Sequence, residues 1–531
     1  MFVNEGTLDI TLNKIKMKKS LLFTVLFLIT FSVGFSQINL VKDIALGAEF
    51  SAPRELKEVN GKLIFATDVP YNTAGNLWKS DGTLAGTSII KTFGLNESIT
   101  FTKKWGNLIY FNVGKNGAVQ SLWVTDGNGA YLVKSLGSTS ATGEMTVFKD
   151  ALYFNTSSLF AQGIHKSDGT AAGTVGFANV TATSPLVVSG SNMYFTTYVA
   201  NVGNELWKTD GTVAGTVMVK DIRLGTADGG ISQMTDVNGT LFFVADNGVN
   251  GGELWKSDGT TTGTVMVKDI TPGGIYSHTI FSYLTNVNGI LYFTKDNYEL
   301  WKSDGTDAGT VLVRPSSSIK PTNLINVNGT LFFECGTLSS SAEICKSDGT
   351  TAGTMMIKDI NTIGTAYGGF INPYVVGKYV YFRAQNGTDG YELWRSDGTA
   401  DGTEMIYDTN LGSGNFDPEK LTLVGDKLFM VGQTTAEGIE LFVYTVPKLS
   451  VNIFNKENQF VLYPNPSIGD FNIEIDENLI GAKATFYSLL GQKIKTFDLK
   501  STTTNQYLNK GIYLLEIEKE GIKTVKKLII N

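Results

Sequence analysis

The string ELWKSDGTTTGTVMVKDI at residues 253–270 has a near copy at 205–222, ELWKTDGTVAGTVMVKDI, and weaker copies along most of the chain. Self-similarity at a fixed period constrains a fold more than any single motif, because every copy must be one small unit packed on its neighbours. The Asp of the SDGT-like element recurs at Asp81, Asp126, Asp168, Asp210, Asp258, Asp304, Asp348 and Asp397, in steps of 42 to 49 residues.

Each unit reads as four strands. In residues 231–270, ISQMTDV comes first and Asn238-Gly239 supplies a two-residue hairpin turn. TLFFVAD follows, a continuous apolar run of the kind shown by a strand buried on both faces. A variable loop, NGVNGG, leads to ELWKS, and DGTTTGT turns the chain into VMVKDI. No stretch has helical spacing, and β-branched and aromatic residues dominate, so the unit is all-β. Apolar residues at 42% supply a core, and 59 glycines against 11 prolines suit many turns.

A period of this length matches the ~40–50 residues of known propeller blades. The ends of the array suggest a ring. It opens on QINLVKDIALG, a fourth strand without its first three, and closes on LTLVGDKLFMVGQTTAEGIELFVYTV, three strands without a fourth. Joined, they complete one unit and remove two free edges. The expectation is a large closed β-propeller of four-stranded blades over residues 37–447. Nine blades are predicted, with eight the alternative because the second and third units (SLWVTDGNGAYLV, GIHKSDGTAAGTV) are degenerate.

Copied residues are tested for chemistry before being read as sites. Calcium loops space several oxygen ligands closely, whereas SDGTTTGT offers one carboxylate, hydroxyls and two glycines. That is turn chemistry: Asp caps backbone N–H groups and Gly takes positive φ. Trp78, Trp123, Trp207, Trp255, Trp301 and Trp394 fall at one strand position and read as packing between blades. His165, at the Trp position of its unit, reads as a packing substitute, and His278 is the only other histidine. No phosphate loop, metal-ligand cluster or nucleophile motif stands out, so no catalytic, cofactor or metal residue is assigned. Net charge is −7 with lysines scattered singly, which argues against a nucleic-acid partner.

Cys335 and Cys345 correspond to Ala245 and Trp255 of the better-preserved unit, placing both on adjacent antiparallel strands of one blade. Export meets oxidising conditions, so a Cys335–Cys345 disulfide is predicted, two buried thiols being the alternative.

ELWKSDGTTTGT resembles the ELWxxDGT repeat of secreted bacterial proteins, over about residues 38–447. That family is defined by its repeat and not by an activity. The turn also resembles the Asp-box of sialidase-like propellers, in which the Asp holds a hairpin.

Export is written at both ends. Lys16, Lys18 and Lys19 precede LLFTVLFLITFSVGF, with Gly34 and Ser36 before Gln37, which reads as a signal peptide over 1–36 cleaved between Ser36 and Gln37. Met17 is the expected true start, and no later stretch is apolar enough to span a bilayer. After a linker at 448–457, residues 458–531 change character to short alternating strands and predict a small Ig-like antiparallel β-sandwich. This segment closely resembles the type A C-terminal sorting domain of type IX secretion cargo. The resemblance rests on Tyr463-Pro464-Asn465-Pro466, on Leu490-Gly491-Gln492-Lys493, on Leu508 with Gly511-Ile512-Tyr513, and on the closing KKLIIN. It implies the type IX machinery as a partner and an extracellular or outer-surface location.

Function is expected on the loops where copies disagree: DVPYNTAGN, RAQNGTDGY, TPGGIYSH and LGSGNFDPEK. The leading expectation is a monomeric, non-catalytic binding or adhesion protein for a surface polymer or protein. A glycan-acting hydrolase or lyase using loop carboxylates is the alternative, and a structural surface component the third.

Overall fold

The computed structural model describes residues 37–531 apart from 68–73, 115–119, 138–139, 158–162, 179, 274–279, 315–319, 337–341, 364–367, 448–459, 489–491 and 520–521. The signal segment with Ser36, the linker, His278 and Gly491 lie outside the described residues. Among the described residues there is no α-helix, only one short 3-10 turn at Glu477–Leu479. No helix there is long and apolar enough to cross a membrane. The chain divides into two compact units, one ending at Val446 and the other beginning at Pro447.

Among its described residues the first unit contains nine four-stranded antiparallel sheets. Eight are built from four consecutive strands. The fifth is representative: Ser232–Val237, Thr240–Asp246, Gly252–Ser257 and Val265–Lys268. Asn238 and Gly239 both have positive φ, 52° and 85°, as the tight hairpin between the first two strands requires. Leu241 to Ala245 are buried without interruption, because this strand is covered on both faces. The last strand alternates, with Val265 exposed and Val267 buried. The ninth sheet is composite. Ile38–Lys42 pairs with Gly438–Thr445, which pairs with Lys427–Thr434 and then Glu419–Val424.

The sheets pack face to face through aromatic side chains. Trp255 of the fifth lies with Tyr194 and Leu206 of the fourth, and Trp394 of the eighth with Phe332 and Ile344 of the seventh. Trp78 of the first sheet packs with Phe429 and Leu441 of the ninth. His165 stacks on Phe154 at 5.6 Å and 21°, much as Trp301 stacks on Phe293 at 6.4 Å and 16°.

Lysines of the repeat stitch each sheet to the next. The Lys of VKDI donates to a turn carbonyl of the following sheet: Lys220 to Thr264 at 2.8 Å, Lys268 to Thr310 at 3.1 Å and Lys358 to Thr403 at 2.7 Å. Lys42, in the composite ninth sheet, makes the same bond to Thr87 of the first at 3.3 Å. The Lys of ELWKS does likewise, Lys256 to Gly305 and Lys346 to Gly398, both at 2.8 Å.

Periodicity did not announce a bulge in the first strand of several sheets. There the register slips, as between Ser232 and Thr235, and a non-glycine residue takes positive φ, as at Gln233, Asn323 and Lys420. Some of these residues reach the neighbouring sheet, Asn323 to the carbonyl of Phe370 and Lys420 to that of Pro53.

In the second unit, one sheet joins Phe460–Tyr463, Asp470–Ile475 and Thr503–Tyr507. The other joins Lys493–Asp498, Lys483–Ser488, Gly511–Lys519 and Ile522–Ile530. Phe460, Phe471, Phe486, Leu515 and Leu528 form the core between them.

Candidate functional site

The two ends of each sheet present different chemistry. At one end sit the Asn-Gly and Asp-Gly turns. Asp258 Oδ1 accepts the Thr260 N–H at 2.8 Å and the Thr260 hydroxyl at 2.7 Å, and Gly259 has φ 88°. Asp81, Asp168, Asp210, Asp304, Asp348 and Asp397 repeat the arrangement with their own threonines. Asp126 instead accepts the N–H groups of Asn128 and Gly129. The threonine hydroxyl and N–H hold the carboxyl of Asp258 below the usual carboxylate range. Each Oδ1 is thus engaged by its own turn.

At the opposite end, the structure gathers two of the variable loops beside a cavity of about 220 Å³ with a mixed polar and apolar lining of Arg383, Asp417, Glu419, Val431, Gly432, Gln433 and Ile439. Arg383 ends a strand of the eighth sheet and begins the RAQNGTDGY loop. Asp417 and Glu419 come from LGSGNFDPEK, which leads into the ninth. The guanidinium lies 3.2 Å from Asp417 and 3.4 Å from Glu419, over the ring of Tyr391 at 5.3 Å. Gln433 donates to the other oxygen of Asp417 at 3.0 Å. Burial raises the carboxyl of Asp417 above its ordinary value, Arg383 pulls it back and Glu419 pushes it up. Arg383 Nε is buried and donates to no described group.

Asp417 sits in the left-handed region, φ 49°, anchored by its N–H to the Tyr391 carbonyl at 3.0 Å. The preceding Phe416 is fully buried and meets Phe442 edge-on at 4.9 Å. Its ring also lies against Gly432, where an added Cβ would fall 2.1 Å from a ring carbon. Any larger residue at 432 must therefore displace Phe416, and Asp417 with it.

Sequence reasoning passed over the Glu of the ELW element. Glu205, Glu253, Glu343, Glu392 and Glu440 are almost fully buried at this same end. They accept backbone N–H groups from the turn after the fourth strand, as Glu253 does from Ile270 at 2.9 Å and Thr271 at 3.0 Å. Burial pushes Glu205 and Glu392 up to about 7. Repetition in a polar residue that precedes a buried aromatic position was the available signal.

Cys335 and Cys345 are disulfide-bonded, with Cα atoms 5.7 Å apart on neighbouring strands. In the second unit, Asn465 donates to the Lys527 carbonyl at 2.8 Å and accepts the Ile529 N–H at 2.9 Å, tying the Tyr463-Pro464-Asn465-Pro466 stretch to the final strand. Tyr513 packs against the core and donates to the Asn509 carbonyl at 3.0 Å, beside Gly511.

Residues 461–531 match the family described as the secretion system C-terminal sorting domain. A type IX tail of this kind implies export to the cell surface or the extracellular space, and engagement with the secretion machinery. No curated protein matches the chain. Among solved structures, the chain is similar to PorZ, a surface component of the type IX secretion system of Porphyromonas gingivalis (11% identity, 90% of this chain and 86% of that one, TM-score 0.30). It is also similar to BamB from Moraxella catarrhalis (14%, 65% and 94%, TM-score 0.38) and to the β-propeller domain of the Trilobed protease from Pyrococcus furiosus (10%, 59% and 100%, TM-score 0.33).

Proposed function

We propose that the nine sheets are the blades of a closed propeller-like ring, and that this exported protein is a non-catalytic binder of extracellular or surface glycan. Ring closure is supported by the ninth sheet contacting the first through the Lys42–Thr87 bond and the Trp78 cluster. The observation that carries the binding reading is the cavity around Arg383. Its carboxylates Asp417 and Glu419 are both engaged by one guanidinium, so neither stands free as an acid or a base. What remains is a set of acceptors, the amide of Gln433 and the guanidinium of Arg383, beside the apolar side chains of Val431 and Ile439, which suits the hydroxyls and apolar face of a sugar. The volume suits one residue of a polymer. Residues 37–447 would form the binding module, 458–531 the sorting domain, and the whole would act as a monomer.

The test is a panel of soluble and insoluble polysaccharides presented to the full chain, scored for both retention and cleavage. Retention without products supports binding; released oligosaccharides would instead make Asp417 and Glu419 catalytic. Deleting 458–531 should leave the protein in the periplasm, and undiminished surface display of that form would contradict the sorting role.

A further inference from the structure

Given glycan binding at the cavity, the charges around Arg383 decide which sugars it holds. Those charges are foreign to the repeat. On the second strand of a sheet, the place of Arg383 is held by Val244 in the fifth, Thr294 in the sixth and Glu334 in the seventh. On the first strand, the place of Glu419 is held by Ser232, Ser282 and Thr322. Those sheets form without either residue, so the charges are not a requirement of the wall.

Arg383 is the one base in the described lining, against the carboxylates of Asp417 and Glu419. Both carboxylates lie on the same guanidinium nitrogen, Nη1, at 3.2 Å and 3.4 Å. Lys420, next along the chain, donates instead to the Pro53 carbonyl at 3.3 Å. The lining therefore carries one negative charge in excess. Glu419, with its side chain 46% exposed against 19% for Arg383, is the more open of the pair.

A sugar carboxylate or sulfate in this cavity would add a third anion to two that already oppose each other, since Glu419 pushes the carboxyl of Asp417 up. Like charges set side by side in a partly desolvated site suppress binding. An uncharged sugar escapes that cost. Its hydroxyls would donate to the carboxylate oxygens, and its C–H face would meet Val431 and Ile439. Repulsion of the wrong ligand gives selectivity without weakening the right one. We propose, resting on glycan binding at this cavity, that it takes an uncharged sugar residue and turns away uronic and sulfated ones.

The test takes the polysaccharide that retains the full chain best and prepares two further forms of it. In one, the primary hydroxymethyl groups are oxidised to carboxylates; in the other, those carboxylates are methyl-esterified. Retention is compared at ~0.15 M salt, where a Debye length of about 8 Å mutes the net charge of −7. The oxidised form should be held at least ~10-fold more weakly than the starting polymer, and esterification should restore retention. Glu419→Gln should narrow that gap at least ~3-fold, while Asp258→Asn, which removes the same charge at the turn end, should leave it. Equal retention of the starting and oxidised polymers would overturn the proposal, as would an ester held no better than the acid or a best-retained polymer that is itself acidic. A gap narrowed as much by Asp258→Asn would assign it to net charge and overturn it too. Those results concern wild type first, so they stand even if a variant fails to fold. Failure of every polysaccharide to retain the chain would instead remove glycan binding itself, and this selectivity with it.

Discussion

Most repeats carry a carboxylate at each end of their sheet, and the two ends treat it differently. Asp258 in the turn is exposed, accepts bonds from its own Thr260, and is held acidic. Glu205 and Glu392, at the other end, are sealed from solvent, and burial pushes them up to about 7 against the backbone N–H groups that bond them. The turn end repeats one solution around the array; the opposite end varies. The turn end is satisfied within single turns, whereas the opposite end is held by bonds between separate segments, as Arg383 is to Asp417 and Glu419.

Substitutions at the two ends should have unequal effects. The largest effect is expected in the seventh sheet, where a disulfide replaces the aromatic of the third strand. Replacing both Cys335 and Cys345 by Ser opens a loop of 10 residues and should cost roughly 2–4 kcal/mol in urea unfolding. An unchanged midpoint would show that the clamp does nothing for that end. Gly432→Ala comes next. With Phe416 only 2.1 Å from the new methyl, overpacking should lower stability by about 1–3 kcal/mol and loosen Asp417.

A pH series gives a smaller, directional effect. A carboxyl whose native pKa is raised favours the folded state below its unfolded value of about 4.5, and that contribution is lost as pH rises through about 7. The chain should therefore melt higher near pH ~5.5 than near pH ~8, and Glu205→Gln with Glu392→Gln should flatten the slope. The lowered turn aspartates act oppositely, losing their contribution only as pH falls below the ordinary Asp range. Least of all, Asp258→Ala should move stability by about 0.5 kcal/mol or less, because a single exposed turn is lost among many.

Much of the architecture was legible because it is local. The hairpin at Asn238-Gly239, the uninterrupted run Leu241–Ala245 and the turn at Asp258 are each written within a few residues. The all-β class and four-stranded sheets follow from them. The stitching lysines were not legible, since Lys220 means nothing until Thr264 of the next sheet lies beside it. The cavity was half legible. RAQNGTDGY and LGSGNFDPEK stood out as variable loops, but their meeting at Arg383 and the dependence of Asp417 on Phe416 and Gly432 are tertiary facts. The ELW glutamates were hidden by their own regularity, because a residue repeated with the wall reads as wall.

The proposed glycan site lies at the end where the copies disagree. It is tested most directly by measuring retention of the full chain on the polysaccharide that binds it best, for wild type, Arg383→Ala and Asp258→Ala. The account predicts at least ~10-fold weaker retention for Arg383→Ala, about 1.4 kcal/mol, and wild-type retention for Asp258→Ala. Retention that survives the loss of Arg383 but falls with Asp258 would place the site on the turn end and contradict it.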